Sequence, residues 1–318
     1  MIQKYYTFFF VILLSIGVFL FFKGLILFSK NIRFFQNITA FKKINSSSPI
    51  LIILYGFLFA SIIQSSSICI SIIIPLIGIG VLSIKSCFYL IIGFNLGTVS
   101  SLYFTSLNTP FWALILFIIS FILFVIYIIR KNNSIYAISN LFFGLCLIFL
   151  GLSTTKTSFV FLKETHLYSL LISNITKNYF NSFIIGLLLS AIIQSGSVIS
   201  TTFQMLYISS DINLIYIIFI ILGSNLGSTI TGILASLYYN HEAKIVAYFH
   251  VLINLAGVLL TLTIFNIFYY AVVNLSSFTN QNKGFEIAIT HLLFNLLASL
   301  IVLPFTKSIN KTLFIYTK

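Results

Sequence analysis

The sequence predicts an all-α polytopic membrane protein: an inverted-repeat assembly with two re-entrant helical hairpins and about seven full spans. Three observations carry that prediction. Charges are too few for a water-soluble surface, apolar runs reach membrane-spanning length, and a pair of polar motifs recurs at one fixed offset.

The 318 residues are 59% hydrophobic and 7% charged, with a mean hydropathy of +1.13. Soluble domains carry roughly 25% charged residues, so this chain cannot cover itself against water. Its apolar runs do not alternate with polar residues, which excludes a transmembrane β-barrel. The net charge of +13 sets 17 basic residues against Glu164, Asp211, Glu242 and Glu286. In a soluble protein such a balance would suggest nucleic acid. Here the basic residues lie between apolar runs, where they set topology and meet membrane lipid, and no nucleic-acid partner is expected. Cys69, Cys87 and Cys146 lie in or beside apolar segments without metal-type spacing and read as small core residues. The first run, Tyr5 to Phe28, is too long for a signal-peptide core and lacks a small-x-small cleavage site, so it reads as a retained span.

The repeat decides the organisation. At an offset of 130, Gly56 falls on Gly186, Ile62-Ile63-Gln64-Ser65 on Ile192-Ile193-Gln194-Ser195, and Ser67 on Ser197. The same offset carries Gly93 to Gly223, Asn95-Leu96-Gly97 to Asn225-Leu226-Gly227, and Thr98 to Ser228. Ile and Leu matches mean little in so apolar a chain. The Gln, Asn, Ser and Gly matches share one offset without a gap. One transmembrane domain over 1–318 is therefore expected, with repeat 1 at 5–130 (hairpin 50–83), repeat 2 at 135–272 (hairpin 180–210) and an extra C-terminal span at 285–306.

Full crossings are expected near 5–28, 87–106, 111–129, 135–152, 213–239, 245–272 and 285–306. The segments around the Gln-Ser motifs differ, each being an apolar run interrupted at its centre. Their arms, of about 14–16 residues, would span roughly 21–24 Å, short for a ~30 Å hydrocarbon core. Irregular polar backbone at membrane depth is tolerated only against protein or a water-filled cavity, and two such segments in corresponding places point to a transporter binding site. Three full spans lie between them, an odd number, so the second hairpin enters from the opposite side and the tips can meet near the midplane. Lys30, Arg33, Lys42, Lys43, Arg130, Lys131, Lys244, Lys307, Lys311 and Lys318 then share one face, taken as cytoplasmic, with Lys85. Lys156, Lys163 and Lys283 fall outside.

All four carboxylates fall near loops or span ends, which leaves no buried one as proton relay or strong cation ligand. What remains at the tips is neutral: Gln64, Ser65, Ser66 and Ser67, with Gln194, Ser195 and Ser197. Amides, hydroxyls and the N-terminal N–H groups of a broken helix can hold an oxyanion. The same hydroxyls, with carbonyls freed where the helix unwinds, can coordinate a hard cation such as Na⁺, and a cation beside the anion offsets the cost of burying charge. An isolated serine would read as a back-bonded packing residue, but two copies on interrupted segments favour a site. In the second motif Asn95 and Asn225, with Thr98, Ser228 and Thr229, supply further ligands; small-residue helix packing is the competing reading. His250-x-x-x-Asn254 and His291-x-x-x-Asn295 each share a helix face. They suit interhelical hydrogen bonding, with a metal ligand or pH switch as the alternative. No Ser-His-Asp set, Walker-type phosphate loop or dinucleotide fingerprint occurs, so no enzyme and no cofactor is expected.

IIQSSS (62–67) and IIQSGS (192–197), GFNLGT (93–98) and GSNLGS (223–228), and AYFHVLIN (247–254) and ITHLLFN (289–295) together resemble the sodium–phosphate cotransporter family, which includes the bacterial Na⁺/Pi transporters and the animal type II cotransporters. The resemblance implies Na⁺-coupled symport of inorganic phosphate by alternating access in a multi-pass plasma-membrane protein, that of bacteria. By position it implies phosphate binding at Gln64, Ser65, Ser66, Ser67, Gln194, Ser195, Ser197, Asn95 and Asn225, and Na⁺ at Ser65, Thr98, Ser195, Ser228 and Thr229. Gly196 departs from the family, standing where the second tip usually has serine. A cytosolic domain of the PhoU type, common in bacterial relatives, does not follow the last span, so regulation of that kind is expected to be absent or supplied by another chain. A different oxyanion, phosphate efflux, and a non-transporting membrane scaffold or regulatory homologue stay open as alternatives.

Overall fold

The computed structural model describes residues 2–32, 44–106, 109–162, 164–237, 239–278, 282–306 and 308. Among them every regular element is a helix. Six stretches are long and apolar enough to cross a membrane: Ile84–Phe104, Pro110–Arg130, Asn133–Leu162, Leu214–Ser236, His241–Thr263 and Lys283–Phe305. A bent pair, Tyr168–Thr176 and Tyr179–Ile193 at 117°, makes up to seven if counted as one span. The protein is a multi-pass membrane protein. The expected first crossing lies in one 31-residue helix, α1 (Ile2–Ile32), of which Tyr5–Phe21 is the apolar stretch. Arg33, Lys42, Lys43, Lys163, Lys307, Lys311 and Lys318 lie outside the described residues, as does the side chain of Lys156.

The chain divides into two compact units, each discontinuous in sequence. The first holds α1, α6 (Thr109–Arg130) and α7 (Asn133–Leu162). Glycines let α1 and α7 touch backbone to backbone: a Cβ on Gly17 would lie 2.9 Å from the Gly151 carbonyl oxygen, and one on Gly24 would lie 2.6 Å from that of Gly144. Ser120 and Ser139 join α6 to α7 by donating to each other's carbonyls at 3.0 and 2.9 Å.

The second unit contains the repeated motifs. It comprises α2 (Pro49–Ile63), α3 (Ser66–Gly78), α4 (Ile84–Gly97) and the start of α5 (Val99–Ser106). The end of α8 (His166–Thr176) leads into α9 (Tyr179–Ile193), α10 (Gly196–Ile208), α11 (Leu214–Gly227) and α12 (Ile230–Ser236). Then come α13 (His241–Thr263), α14 (Phe265–Ser277) and α15 (Lys283–Val302). Helices α2, α3 and α4 match α9, α10 and α11 at both ends under the same shift of 130. Short polar side chains start them: Ser48 and Ser83 cap α2 and α4, and Asn178 and Asn213 cap α9 and α11, satisfying first-turn N–H groups.

The packing repeats atom for atom. A Cβ on Gly93 would strike the Ile53 carbonyl oxygen, and one on Gly223 that of Phe183; Gly97 meets Phe57, and Gly227 meets Leu187. Each follows from the other by the same shift. Glycine in this G-x-x-x-G spacing lets α4 and α11 press bare backbone against α2 and α9. Outside the repeat, Phe88 on α4 stacks on Phe249 of α13 with ring centroids 3.8 Å apart, and Gly257 of α13 packs on Ala298 and Phe294 of α15.

Three expected crossings are interrupted. The 87–106 and 213–239 segments break at Thr98 and at Ser228–Thr229, where Thr98 Oγ1 and Ser228 Oγ donate to the Asn95 and Asn225 carbonyls, both at 2.9 Å. The 245–272 segment ends as α13 at Thr263. Thr263 Oγ1 donates to the Leu259 carbonyl at 2.8 Å, a back-bond that bends helices, and Ile264 leaves helical geometry at φ −106°, ψ 27°.

Gly93→Ala and Gly223→Ala are each expected to destabilise the protein by about 1–3 kcal/mol through overpacking of backbone on backbone. Thermal unfolding in detergent checks this, and unchanged midpoints would remove the close-approach role of these glycines.

Candidate functional site

Each Gln-Ser motif is a helix break of one construction. Gln64 and Gln194 end α2 and α9 in the left-handed region, at φ 59°, ψ 21° and φ 59°, ψ 31°, with N–H groups bonded back to the Ala60 and Ser190 carbonyls. Non-glycine residues there cost on the order of 1–3 kcal/mol, a cost surrounding packing must offset. Ser65 and Ser195 follow at the start of α3 and α10, their hydroxyls accepting from the Ile68 and Val198 N–H groups, both at 3.4 Å. Each break thus starts a 13-residue helix, at whose N-terminal end N–H groups and the helix dipole favour negative charge.

The second motif lies beside the tips. Ser61 donates to the Gly97 carbonyl at 3.3 Å, Ser100 to that of Ser61 at 3.2 Å, and Thr231 to that of Gln194 at 3.1 Å. The breaks after Gly97 and Gly227 release carbonyls at the C-terminal ends of α4 and α11, the cation-favouring pole of the dipole. Ser228 is one point at which the copies meet. Ser67, from the first tip, donates to the Ser228 carbonyl at 3.4 Å. Gly196, from the second tip, lies against the same residue: a Cβ there would stand 3.1 Å from both Cβ and Oγ of Ser228 and 2.9 Å from the Ser224 carbonyl oxygen. Ser195 and Ser197 pair at 3.3 Å, and Ser200 ties α10 to α11 through Ser224 at 3.0 Å.

The copies differ in surroundings. Gln64 is 2% exposed, and neither of its amide atoms has a partner among the described residues; the Asn95 Nδ2 is likewise buried and unpartnered. Gln194 is exposed. Asn225 has both amide atoms engaged, donating to the Ile221 carbonyl at 2.8 Å and meeting His291 Nε2 through its Oδ1 at 2.9 Å. That contact makes His291 an interhelical partner, one of the two readings its motif allowed. Thr229 Oγ1 bonds the Leu226 carbonyl at 2.7 Å. No group of three His, Cys, Asp or Glu side chains that could hold a metal occurs among the described residues.

The sequence reading missed Gln204. Fully buried on α10, it donates from Nε2 to the Leu102 carbonyl of α5 at 2.9 Å and to the Gly284 carbonyl of α15 at 2.8 Å. The available signal was an amide in an otherwise apolar arm, where the first copy has Ile74.

The model of the family described as "Na+/Pi-cotransporter" matches residues 18–157 and 161–283. The chain belongs to the Na⁺/Pi-cotransporter family. The match is to a family of transporters, not of enzymes. The chain is similar to the uncharacterised protein YqeW of Bacillus subtilis (strain 168), 28% identical over 261 residues, which cover 81% of each chain. No solved structure matches.

Gly196 is closely packed. The Ser228 hydroxyl and the Ser224 carbonyl fill the space a side chain at 196 would need. Gly196→Ser should therefore lower ligand affinity and stability, and Ser228→Gly in the same chain should restore part of the stability by vacating the space. A thermal-shift double-mutant cycle measures the coupling, expected at about 0.5–3 kcal/mol; strict additivity would refute the contact's importance.

Proposed function

We propose that this Na⁺/Pi-cotransporter family member is a secondary active transporter that carries inorganic phosphate together with Na⁺ by alternating access around the two Gln-Ser tips. The observation that carries this reading is the convergence of both tips on Ser228, through Ser67 on one side and Gly196 on the other.

The α2–α3 and α9–α10 segments are two re-entrant hairpins, related as inverted repeats by the three crossings between them, in a bacterial cytoplasmic membrane. The basic loops lie inside. The phosphate oxygens take donors from Gln64, Ser65, Ser66 and Ser67 and from Gln194, Ser195 and Ser197, with the N-terminal N–H groups of α3 and α10. Asn95 completes the first half, its unpartnered buried amide being one such donor. Asn225 contributes after release from His291. Na⁺ takes oxygen from Ser65, Thr98, Ser195, Ser228 and Thr229 and from the carbonyls freed at the breaks after α4 and α11. With no carboxylate among these residues, the cation supplies the charge that makes burial of the anion tolerable, so the two enter together. The unequal exposure of Gln64 and Gln194 supports one covered and one open tip, as alternating access requires.

In proteoliposomes the chain is expected to take up labelled phosphate in a Na⁺-gradient-dependent manner. Gln64→Ala and Gln194→Ala should each lower uptake by about tenfold or more, a loss of roughly 1.4 kcal/mol. Robust uptake without Na⁺ would sink the coupling. Stronger competition by unlabelled sulfate than by phosphate would reassign the cargo, and absence of transport for any oxyanion would favour the scaffold reading.

A further inference from the structure

His250 lies in the middle of α13 at 1% exposure, with both ring nitrogens buried and unpartnered among the described residues. A buried polar group left without a partner is costly, and in a membrane bundle an ionisable one is a functional candidate. Its position is informative. The ring fits the space left by Gly232 of α12, where a Cβ would stand 3.7 Å from Nδ1 and 3.1 Å from Cγ2 of Ile70 on α3. Ile70 is three residues beyond Ser67, and Gly232 is four beyond Ser228. His250 therefore packs beside residues that lie three and four positions beyond the pair joining the two tips.

The elements packed on α13 are α3, α4, α11, α12, α14 and α15. Their titratable or charged side chains are Cys69 on α3, Lys85, Cys87 and Tyr89 on α4, and Tyr216 on α11. Helix α12 has none, α14 adds Tyr269 and Tyr270, and α15 adds Lys283, Glu286 and His291. On α13 itself stand His241, Glu242, Lys244 and Tyr248. Two carboxylates belong to this set. Glu242 is eight residues away in the first turn of α13, and Glu286, in the first turn of α15, accepts from the Tyr207 hydroxyl. Among the described residues no carboxylate is recorded beside His250; cargo at the tips would supply an anion.

We propose that His250 is a proton-binding site linked to the anion site: it is neutral while the tips are empty and takes a proton from water when a multiply charged oxyanion binds beside it. This rests on the reading of the tips as an anion site. The proton count balances as one H⁺ from solution, or from the bound dihydrogen form of the anion, moved onto the imidazole. The resulting imidazolium has two donors where the neutral ring had one, and it supplies positive charge that the described residues near the tips lack. The cycle then moves a proton with phosphate and Na⁺, and phosphate affinity depends on pH beyond the titration of phosphate itself.

The test uses the full chain in detergent, with inorganic phosphate as probe. Labelled-phosphate binding is measured from pH 6 to 8 for the wild type and for His250→Gln; phosphate's own protonation affects both alike. The wild-type Kd is expected to change about 3–10-fold more over this range than that of the variant, where one linked proton gives at most tenfold per pH unit. Equal profiles overturn the proposal while leaving the tips intact as a phosphate site. Absence of phosphate binding by the wild type at any pH overturns the tips and this proposal together. Should His250→Gln not fold, ¹⁵N-histidine spectra of the wild type decide instead. The chain has four histidines, and His166→Gln, His241→Gln and His291→Gln assign their signals. An imidazolium signal at the remaining histidine that appears on adding phosphate at neutral pH supports the proposal. No change of charge, or a change at His291, overturns it.

Discussion

Backbone groups in the interior of a membrane protein must find partners within the protein, and this constraint governs the second unit. Helices break there at four places in the two repeats: after Ile63, Gly97, Ile193 and Gly227. Each break strands N–H and carbonyl groups among packed helices. The surroundings answer with short hydroxyl side chains and with glycine. Ser65 and Ser195 cap the helices that begin, Thr98 and Ser228 close the turns that end, and Ser61, Ser100 and Thr231 bridge from one break to the next. Glycines 93, 97, 223 and 227 bring the broken helices together, since any side chain there would hold α4 off α2 and α11 off α9. Packing and polarity serve one end, which is to keep irregular backbone in an apolar bundle.

The repeat preserves this machinery and varies what surrounds it. Dihedral angles, caps, turn-closing bonds and glycine contacts recur with one shift of 130. The partners of the two asparagines do not: Asn225 meets His291, whereas the Nδ2 of Asn95 is buried without a partner among the described residues. Gln204 clamps α10 to α5 and α15, where the first copy has Ile74. A duplicated unit in one chain has unlike neighbours, so positions packed inside each copy, such as the four glycines, are held in common, and positions that meet the rest of the bundle, such as Gln204, diverge. Gly196 belongs to the first class in location and to the second in identity, because its neighbour Ser228 already occupies the space.

Legibility in the sequence follows the same division. The tips and the Gly-x-Asn-x-Gly motif were readable because polar and small residues are rare in an apolar chain, so their recurrence at one offset is informative. The breaks within 87–106 and 213–239 were not, since hydropathy stays high through Thr98 and Ser228 and a hydroxyl that closes a turn looks the same as one that packs. The end of α13 at Thr263 was hidden for a like reason, with neither glycine nor proline to announce it. His250 and His291 show one spacing and yet differ, one unpartnered and the other bonded to a residue 66 positions earlier. Periodicity places a side chain on a helix face and does not name what that face meets. Gln204 was visible as a letter, but a single amide without a duplicate gave no reason to prefer it over the serines and threonines around it.

The scarcity of carboxylates gives the proposed coupling its physical basis. A site with acidic ligands could hold Na⁺ alone, and one with arginine or lysine could hold an oxyanion alone; either would bind one ion without the other. Here helix N-terminal ends at the tips favour an anion, helix C-terminal ends after Gly97 and Gly227 favour a cation, and neither set includes a full charge. Partial charges of this size offset only part of the desolvation of a lone ion. In the proposed coupling each ion is therefore held more tightly with the other in place. A buried imidazole packed against α3 and α12 fits the same logic, because it can adjust its charge to that of the anion when the number of cations is fixed.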